Sequence, residues 1–282
     1  MIETDFLNQL DRFQLIIKKR VTSNYVGPRK SVAAGRGLMF KEHRQYSPGD
    51  DIRLIDWKVF ARSDHLHVKT FEEERNLTVH ALMDASASMG FGKPISKFEY
   101  AAMISLGFAY LAIKENEKVQ FSTFNENVEM FQSRRGMSQL MNMLQHLNEV
   151  KTQGRSKFLE SITQYRKIIG SKAMLILTSD LLMPIDEITE ALYCLGDHEV
   201  RIVQVLDPVE KELKFAGDFK LVDSETKDKL RTYISPQLRV QYQRQLDKHC
   251  ARIEETCNKL GYKYYLITTD SNIFDTFYKI LD

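Results

Sequence analysis

The stretch Leu77-Thr78-Val79-His80-Ala81-Leu82-Met83-Asp84-Ala85-Ser86-Ala87-Ser88-Met89-Gly90 decides how the rest of the chain is read. Its first half alternates, with Leu77, Val79, Ala81 and Met83 on one face of a β-strand. The strand runs directly into a carboxylate and two hydroxyls at alternate positions, Asp84, Ser86 and Ser88. Three hard oxygen groups on a loop just past a strand have the spacing to converge on one small cation. Ser86 and Ser88 have a second option, which is to bond local backbone in a turn.

Downstream, Ser96-Lys97-Phe98-Glu99 is a capping-box pattern. It predicts a helix to about 115 that buries Phe98, Ala101, Ala102, Ser105, Phe108, Ala109 and Ala112. Val119 to Phe124 alternates as a strand, Asn125-Glu126-Asn127 reads as a turn, and Val128 to Phe131 as a short edge strand. Met137 to Leu147 is helical. Gly154-Arg155-Ser156 leads into a helix over about 157–168, and Ser156 is placed to cap it. The unbroken apolar run Ala173 to Thr178, closed by Ser179-Asp180, predicts a central strand buried on both faces. A helix over about 185–196 follows Pro184, then a strand over Val200 to Leu206. Residues 209–231 break the rhythm and suggest a β-hairpin insertion. A long helix over about 236–259, a strand over Tyr262 to Thr268 and a helix over Ile273 to Leu281 complete the chain.

Strands alternating with helices imply an α/β fold, a mostly parallel sheet with right-handed crossovers and helices on both faces. Ligands of such sheets sit beyond the carboxyl ends of the strands. Asp84 and Asp180 lie at such ends, with Asp207 and Asp270 further out.

Upstream, Phe6, Leu7, Leu10, Phe13, Leu15, Ile16 and Ile17 form a helical stripe over about 4–20, read as a docking helix because its polar face mixes acids with bases. Ser23 to Phe40 reads as Gly-rich loop. A dense stretch follows from His43 to Arg62, with a tight turn at Pro48-Gly49 and charges alternating with apolar residues around Trp57. A salt-bridged brace and a partner surface are the two readings of this stretch. Leu66 to Phe71 reads as a strand, with His65 and His67 on its surface. The expected organisation is a helix and β-rich segment over 1–75 packed on a main domain over 76–282.

The 282 residues are 43% hydrophobic and 28% charged, which suits a globular protein with a real core. A net charge of +2, with Lys and Arg dispersed, gives no case for nucleic acid. Three cysteines, Cys194, Cys250 and Cys257, suit a reducing compartment and buried thiols. The N-terminal residues have no basic-then-apolar leader pattern, and no run of apolar residues reaches membrane-spanning length. The expected location is cytoplasmic.

Two enzyme classes find little support. An aspartyl phosphoryl-transfer site would want a carboxylate where Ser86 stands. The serine-hydrolase elbow wants Gly-x-Ser-x-Gly, and the chain reads Ser86-Ala87-Ser88-Met89-Gly90. No Walker-type or dinucleotide glycine motif is present.

Asp84-x-Ser86-x-Ser88, Gly154-Arg155-Ser156 and Thr178-Ser179-Asp180 together resemble the three motifs of a von Willebrand factor type A domain. Ser156 stands where the middle motif usually has Thr. Upstream, Arg44, Tyr46, Pro48-Gly49-Asp50-Asp51, Arg53, Ile55-Asp56-Trp57 and Ala61-Arg62 resemble the signature of the bacterial domain-of-unknown-function family 58. The resemblance implies a Rossmann-like domain binding Mg²⁺, or Mn²⁺ or Ca²⁺, through Asp84, Ser86, Ser88, Ser156 and Asp180. It also implies an association with MoxR-type AAA+ ATPases. The function expected from it is a non-enzymatic adaptor or co-chaperone that binds a partner carboxylate through the metal. The alternative is a metal-dependent hydrolase acting on phosphate esters or peptides.

Overall fold

The computed structural model describes residues 38–73, 78–115, 117–131, 137–169, 173–213, 215 and 217–281. The expected docking helix over 4–20 lies outside them. The chain divides into two compact units, with a boundary between Asn76 and Leu77.

In the first unit the loop expected to reach Phe40 gives way to a strand, β1 (Leu38–Gln45), paired antiparallel with β2 (His67–Glu73). The ladder slips between Phe40 and Glu42, a bulge. Between the strands lie a 3₁₀ turn (Ile52–Leu54) and α1 (Trp57–Ser63). Aspartates start both. Asp51 accepts the Arg53 backbone N–H at 2.9 Å, and Asp56 accepts those of Lys58 and Val59 at 3.0 and 3.3 Å. Asp64, in the left-handed region at φ 59, ends α1.

The second unit is built on β3 (Thr78–Asp84), β4 (Lys118–Phe124), β5 (Val128–Phe131), β6 (Met174–Ser179), β7 (Glu199–Leu206) and β10 (Lys263–Thr268). Their order in the sheet is β10-β7-β6-β3-β4-β5, and every pairing is parallel except β4 with β5. From β3 the chain first moves outward to β4, then returns to place β6 on the other side of β3. The order therefore reverses between β3 and β6, and such a reversal opens a crevice beyond the strand ends. β6 is buried along its whole length, as its unbroken apolar run predicts.

The helices are α2 (Lys97–Lys114), α3 (Met137–Glu149), α4 (Phe158–Arg166), α5 (Ile185–Leu195), a short α6 (Pro208–Glu212), α7 (Pro236–Leu260) and α8 (Ile273–Leu281). One face of the sheet sends Leu82, Leu175, Leu177 and Ile202 into a cluster with Phe158, Ile162, Tyr165, Leu192, Ile253 and Cys257 of α4, α5 and α7. The other face carries α2, flanked by α3 and α8. Gly107 of α2 makes room for α8, since a β-carbon there would lie 2.0 Å from Phe277 Cζ. On α7, Leu246, Cys250, Ile253 and Cys257 form one buried stripe, so two of the three cysteines are core residues.

The irregular stretch expected over 209–231 differs in two ways. It follows a helix, because Asp207-Pro208-Val209-Glu210 is itself a capping box with proline in the first turn. The hairpin pairs β8 (Gly217–Val222) with β9 (Lys229–Ile234), so the second strand runs past 231 and the turn occupies 223–228. Among the described residues no helix is long and apolar enough to cross a membrane.

Candidate metal centre

Asp84 is the last residue of β3 and is fully buried. One carboxylate oxygen, Oδ1, accepts the Ser86 backbone N–H at 2.8 Å. The other, Oδ2, accepts two hydroxyls, from Ser179 at 2.8 Å and from Ser156 at 3.1 Å. Ser86 and Ser179 come from two strand–helix junctions and Ser156 from the loop between α3 and α4. Ser179 arrives because β6 neighbours β3 in register. Ser156 arrives because its loop is stitched to the Asp84 loop by backbone bonds, from Gln153 N–H to the Ala85 carbonyl at 3.1 Å and from Ala87 N–H to the Gly154 carbonyl at 3.0 Å. Gly90 permits this seam, as a β-carbon there would meet Thr152 Oγ1 at 2.5 Å.

The turn and cap roles open to the serines are not the ones they take. The cap position of α4 falls on Lys157, with no side-chain cap bond, and the Ser156 hydroxyl is given to Asp84 instead. Ser86 precedes the 3₁₀ turn Ala87–Gly90 without a side-chain cap bond, and its Oγ lies 3.1 Å from Ser88 Oγ. The hydroxyls face one another and a carboxylate, as a shared oxygen shell would require.

Asp180 follows β6 and is nearly fully buried. Its Oδ2 accepts Lys97 Nζ at 2.8 Å, and its carbonyl accepts Gln204 Nε2 at 2.7 Å. Leu181 then turns into the left-handed region at φ 49, a conformation costing roughly 1–2 kcal/mol for a side chain with a β-carbon. His249 of α7 lies with Nε2 2.7 Å from its carbonyl. Lys97 Nζ also reaches Glu210 Oε1 at 2.7 Å, while Glu210 Oε2 accepts the Asp207 backbone N–H in the α6 capping box.

Burial and the nearby Asp180 charge push the Asp84 carboxyl up to about 6. Burial opposes charge on Lys97, but Asp180 and Glu210 outweigh it and hold the ammonium above its ordinary value. Burial likewise raises the carboxyl of Glu225, a hairpin residue, with Ser156 and Ser86 opposing the rise and the Asp180 charge adding to it. The carboxyls of Asp84, Glu210 and Glu225 are thus each raised in part by the Asp180 charge. Among the described residues one buried ammonium, Lys97, pairs with Asp180 and Glu210.

Sequence reasoning missed Ser179, Lys97 and Glu210. Lys97 carried a signal, since a cation in the first turn of a helix opposes the dipole and wants another reason to be there. Ser179 lay inside the motif that supplied Asp180.

Among the described residues no three His, Cys, Asp or Glu side chains are set to hold a metal by themselves, so hydroxyls would have to contribute. The donor set is all oxygen and carries excess negative charge, a combination that suits a hard divalent cation. His65 and His67 belong to the first unit. Their Nδ1 atoms lie against backbone carbonyls in the first unit.

The signature residues of the first unit brace one another. Arg44 Nη2 donates to Asp50 Oδ1 at 2.7 Å, and Asp50 Oδ2 accepts the Ser47 backbone N–H. Asp56, beyond its capping bonds, meets His43 Nε2 at 2.9 Å and Lys69 Nζ at 3.2 Å. Tyr46 N–H donates to the Leu66 carbonyl at 2.9 Å. Asp51 caps the 3₁₀ turn that contains Arg53, Arg62 lies in the last turn of α1, and the exposed Trp57 packs edge-on against Phe60.

Together these observations define a mixed α/β protein with an acidic, hydroxyl-lined centre at the carboxyl edge of a mostly parallel sheet. The chain belongs to the family described as protein of unknown function DUF58, whose model matches residues 42–252. It is 26% identical over 266 residues to the uncharacterized protein Rv1480 of Mycobacterium tuberculosis, covering 93% of this chain and 84% of that one. The uncharacterized protein YeaD of Bacillus subtilis is 24% identical over 136 residues, 48% of this chain and 32% of that one. Among solved structures, the conserved hypothetical protein BatB of Bacteroides thetaiotaomicron aligns with a TM-score of 0.45 at 13% identity, over 73% of this chain and 97% of that one. An aerotolerance-related membrane protein of Bacteroides fragilis aligns with a TM-score of 0.43 at 15% identity, over 72% of this chain and 96% of that one.

Proposed function

We propose that the second unit is a Rossmann-like, von Willebrand factor A-like domain, and that the protein is a cytoplasmic, non-enzymatic interaction module that binds a divalent cation. Mg²⁺ is the cation of choice, with Mn²⁺ or Ca²⁺ as substitutes. Asp84, Ser86, Ser88, Ser156 and Asp180 would hold it, directly or through water. When bound, the metal supplies an electrophilic position for an acidic side chain of a partner. The partner proposed is a MoxR-type AAA+ ATPase or its client, as the family resemblance implies.

The observation that carries this reading is the convergence on Asp84 of the Ser179 and Ser156 hydroxyls, the second in place of capping α4. The chain's own residues do the positioning. Ser179 and Ser156 orient the Asp84 carboxylate, the Ser86 N–H fixes its other oxygen, and Lys97 holds Asp180 on the opposite side. Calorimetry with Mg²⁺ tests the site. The wild-type chain is expected to bind and Asp84→Ala to show no heat, whereas equal affinity in the two would overturn the assignment. A substrate screen with Mg²⁺ or Mn²⁺ tests the non-enzymatic part, since turnover of a phosphate ester or peptide that disappears in Asp180→Ala would replace the adaptor with a hydrolase.

A further inference from the structure

Lys97 opens α2 and is fully buried, although a cation is disfavoured at the positive end of a helix dipole. Two carboxylates compensate it, Asp180 Oδ2 at 2.8 Å and Glu210 Oε1 at 2.7 Å. The two are held very differently. Glu210 is anchored at both ends. Its Oε2 accepts the Asp207 backbone N–H at 3.1 Å, and its carbonyl accepts the Tyr242 hydroxyl at 2.6 Å. Asp180 is pinned through its backbone, where Gln204 Nε2 donates to its carbonyl at 2.7 Å. Among the described residues its carboxylate makes one short bond, to Lys97, while Oδ1 takes the Leu182 N–H at 3.4 Å. Asp84, by contrast, is held by neutral donors, the Ser86 N–H and the Ser156 and Ser179 hydroxyls.

Of the two aspartates proposed to hold a metal, one therefore already has a cation, and the chain supplies it. We propose that Lys97 is a built-in competitor of the divalent cation: it holds Asp180 in the metal-free chain and yields it on loading, when Glu210 alone keeps the ammonium paired. The inference rests on the metal-centre reading above and adds what sets the affinity of that centre. A fully buried ammonium cannot fall back on solvent, and stripping it of its partners is strongly unfavourable. Glu210 avoids that outcome, because Lys97 exchanges two carboxylates for one rather than losing both. The pinned Asp180 backbone stays where it is, and only its carboxylate changes partner. Lys97 thus opposes the metal, and Glu210, by drawing Lys97 away from Asp180, favours it. Two members of one ion-pair cluster act on the cation in opposite directions.

The test uses the full chain and Mg²⁺ alone, in calorimetry at fixed pH and ionic strength, with each variant checked for folding by circular dichroism. Lys97→Met is expected to tighten Mg²⁺ binding by roughly tenfold, the scale on which one neighbouring charge shifts the ionisation of a carboxylate. Glu210→Gln leaves Lys97 only Asp180 as a charged partner, and is expected to weaken binding by a similar factor. A merely structural cluster would weaken binding in both variants, so the opposite signs are the signature. If Lys97→Met does not fold, Lys97→Gln, whose amide still donates to a carboxylate, carries the same expectation. Binding no tighter than wild type in the folded Lys97 variant, or no weaker in Glu210→Gln, would overturn the competition. In that case the metal centre stands if the wild type binds and Asp84→Ala does not. If neither the wild type nor a Lys97 variant binds Mg²⁺, the metal centre falls and the competition with it.

Discussion

Asp56 is 9% exposed and Asp84 is fully buried, and their electrostatics are opposite. Asp56 faces His43, Lys69 and two backbone N–H groups, and the His43 bond foremost holds its carboxyl below the usual carboxylate range. Asp84 faces neutral hydroxyls, one N–H and a second carboxylate, and burial pushes it up to about 6. The difference lies in the depth of burial, foremost at Asp84, and in the donors. Cations and N–H groups at Asp56 complete a brace. At Asp84 the donors orient the group without neutralising it, so negative charge remains to be met by something else.

Several experiments would break or sharpen this contrast. The largest effect is expected at Lys97. Lys97→Met strips the buried cation from Asp180 and Glu210, and losing one partner of such a buried pair costs about 3–5 kcal/mol. Denaturant unfolding measures it, and a loss below ~1 kcal/mol would mean that the two carboxylates are solvated or neutral. Next comes Asp84→Ala in Mg²⁺ calorimetry. Affinity is expected to fall by more than ~100-fold, beyond the roughly 10–100-fold typical of an outer-shell partner.

Acid titration in a chelator should give the two aspartates opposite slopes. A raised carboxyl favours the fold at low pH, and this contribution fades as pH rises from the unfolded value of 3.8 through about 6. Asp84→Asn should therefore be more stable than the metal-free wild type at neutral pH and indistinguishable from it near pH 4. A depressed carboxyl works the other way. The contribution of Asp56 is present above 3.8 and is lost as pH falls below it, so Asp56→Asn should remove stability at neutral pH and flatten the acid limb. Mg²⁺ affinity should be the same in Asp56→Asn as in the wild type. The smallest effect belongs to Arg44→Ala. The arginine is half-exposed, and exposed ion pairs of this kind add little. Its unfolding midpoint is expected within error of the wild type, and a large shift would mean that the brace acts as a cooperative network.

By itself the sequence determined most of the elements of the second unit and their order. Periodicity fixed β3, β6 and the helices α2–α5, α7 and α8 to within a residue or two, because local backbone geometry dictates which positions face a core, while β1, α1 and α6 escaped it. Capping boxes did the same for the start of α2, since cap bonds are local too. The motif spacing also placed Asp84, Ser156 and Asp180 at the loop ends where they lie. Only the tertiary structure decided what the serines do. Ser156 looked like a helix cap and is a donor to Asp84, because the strand order reverses between β3 and β6 and a backbone seam draws its loop across. Lys97 and Glu210, 113 positions apart, meet only once α2 and α6 share the end of the sheet. Charge balance is a sum over neighbours in space, and neighbours in space are what sequence spacing leaves open.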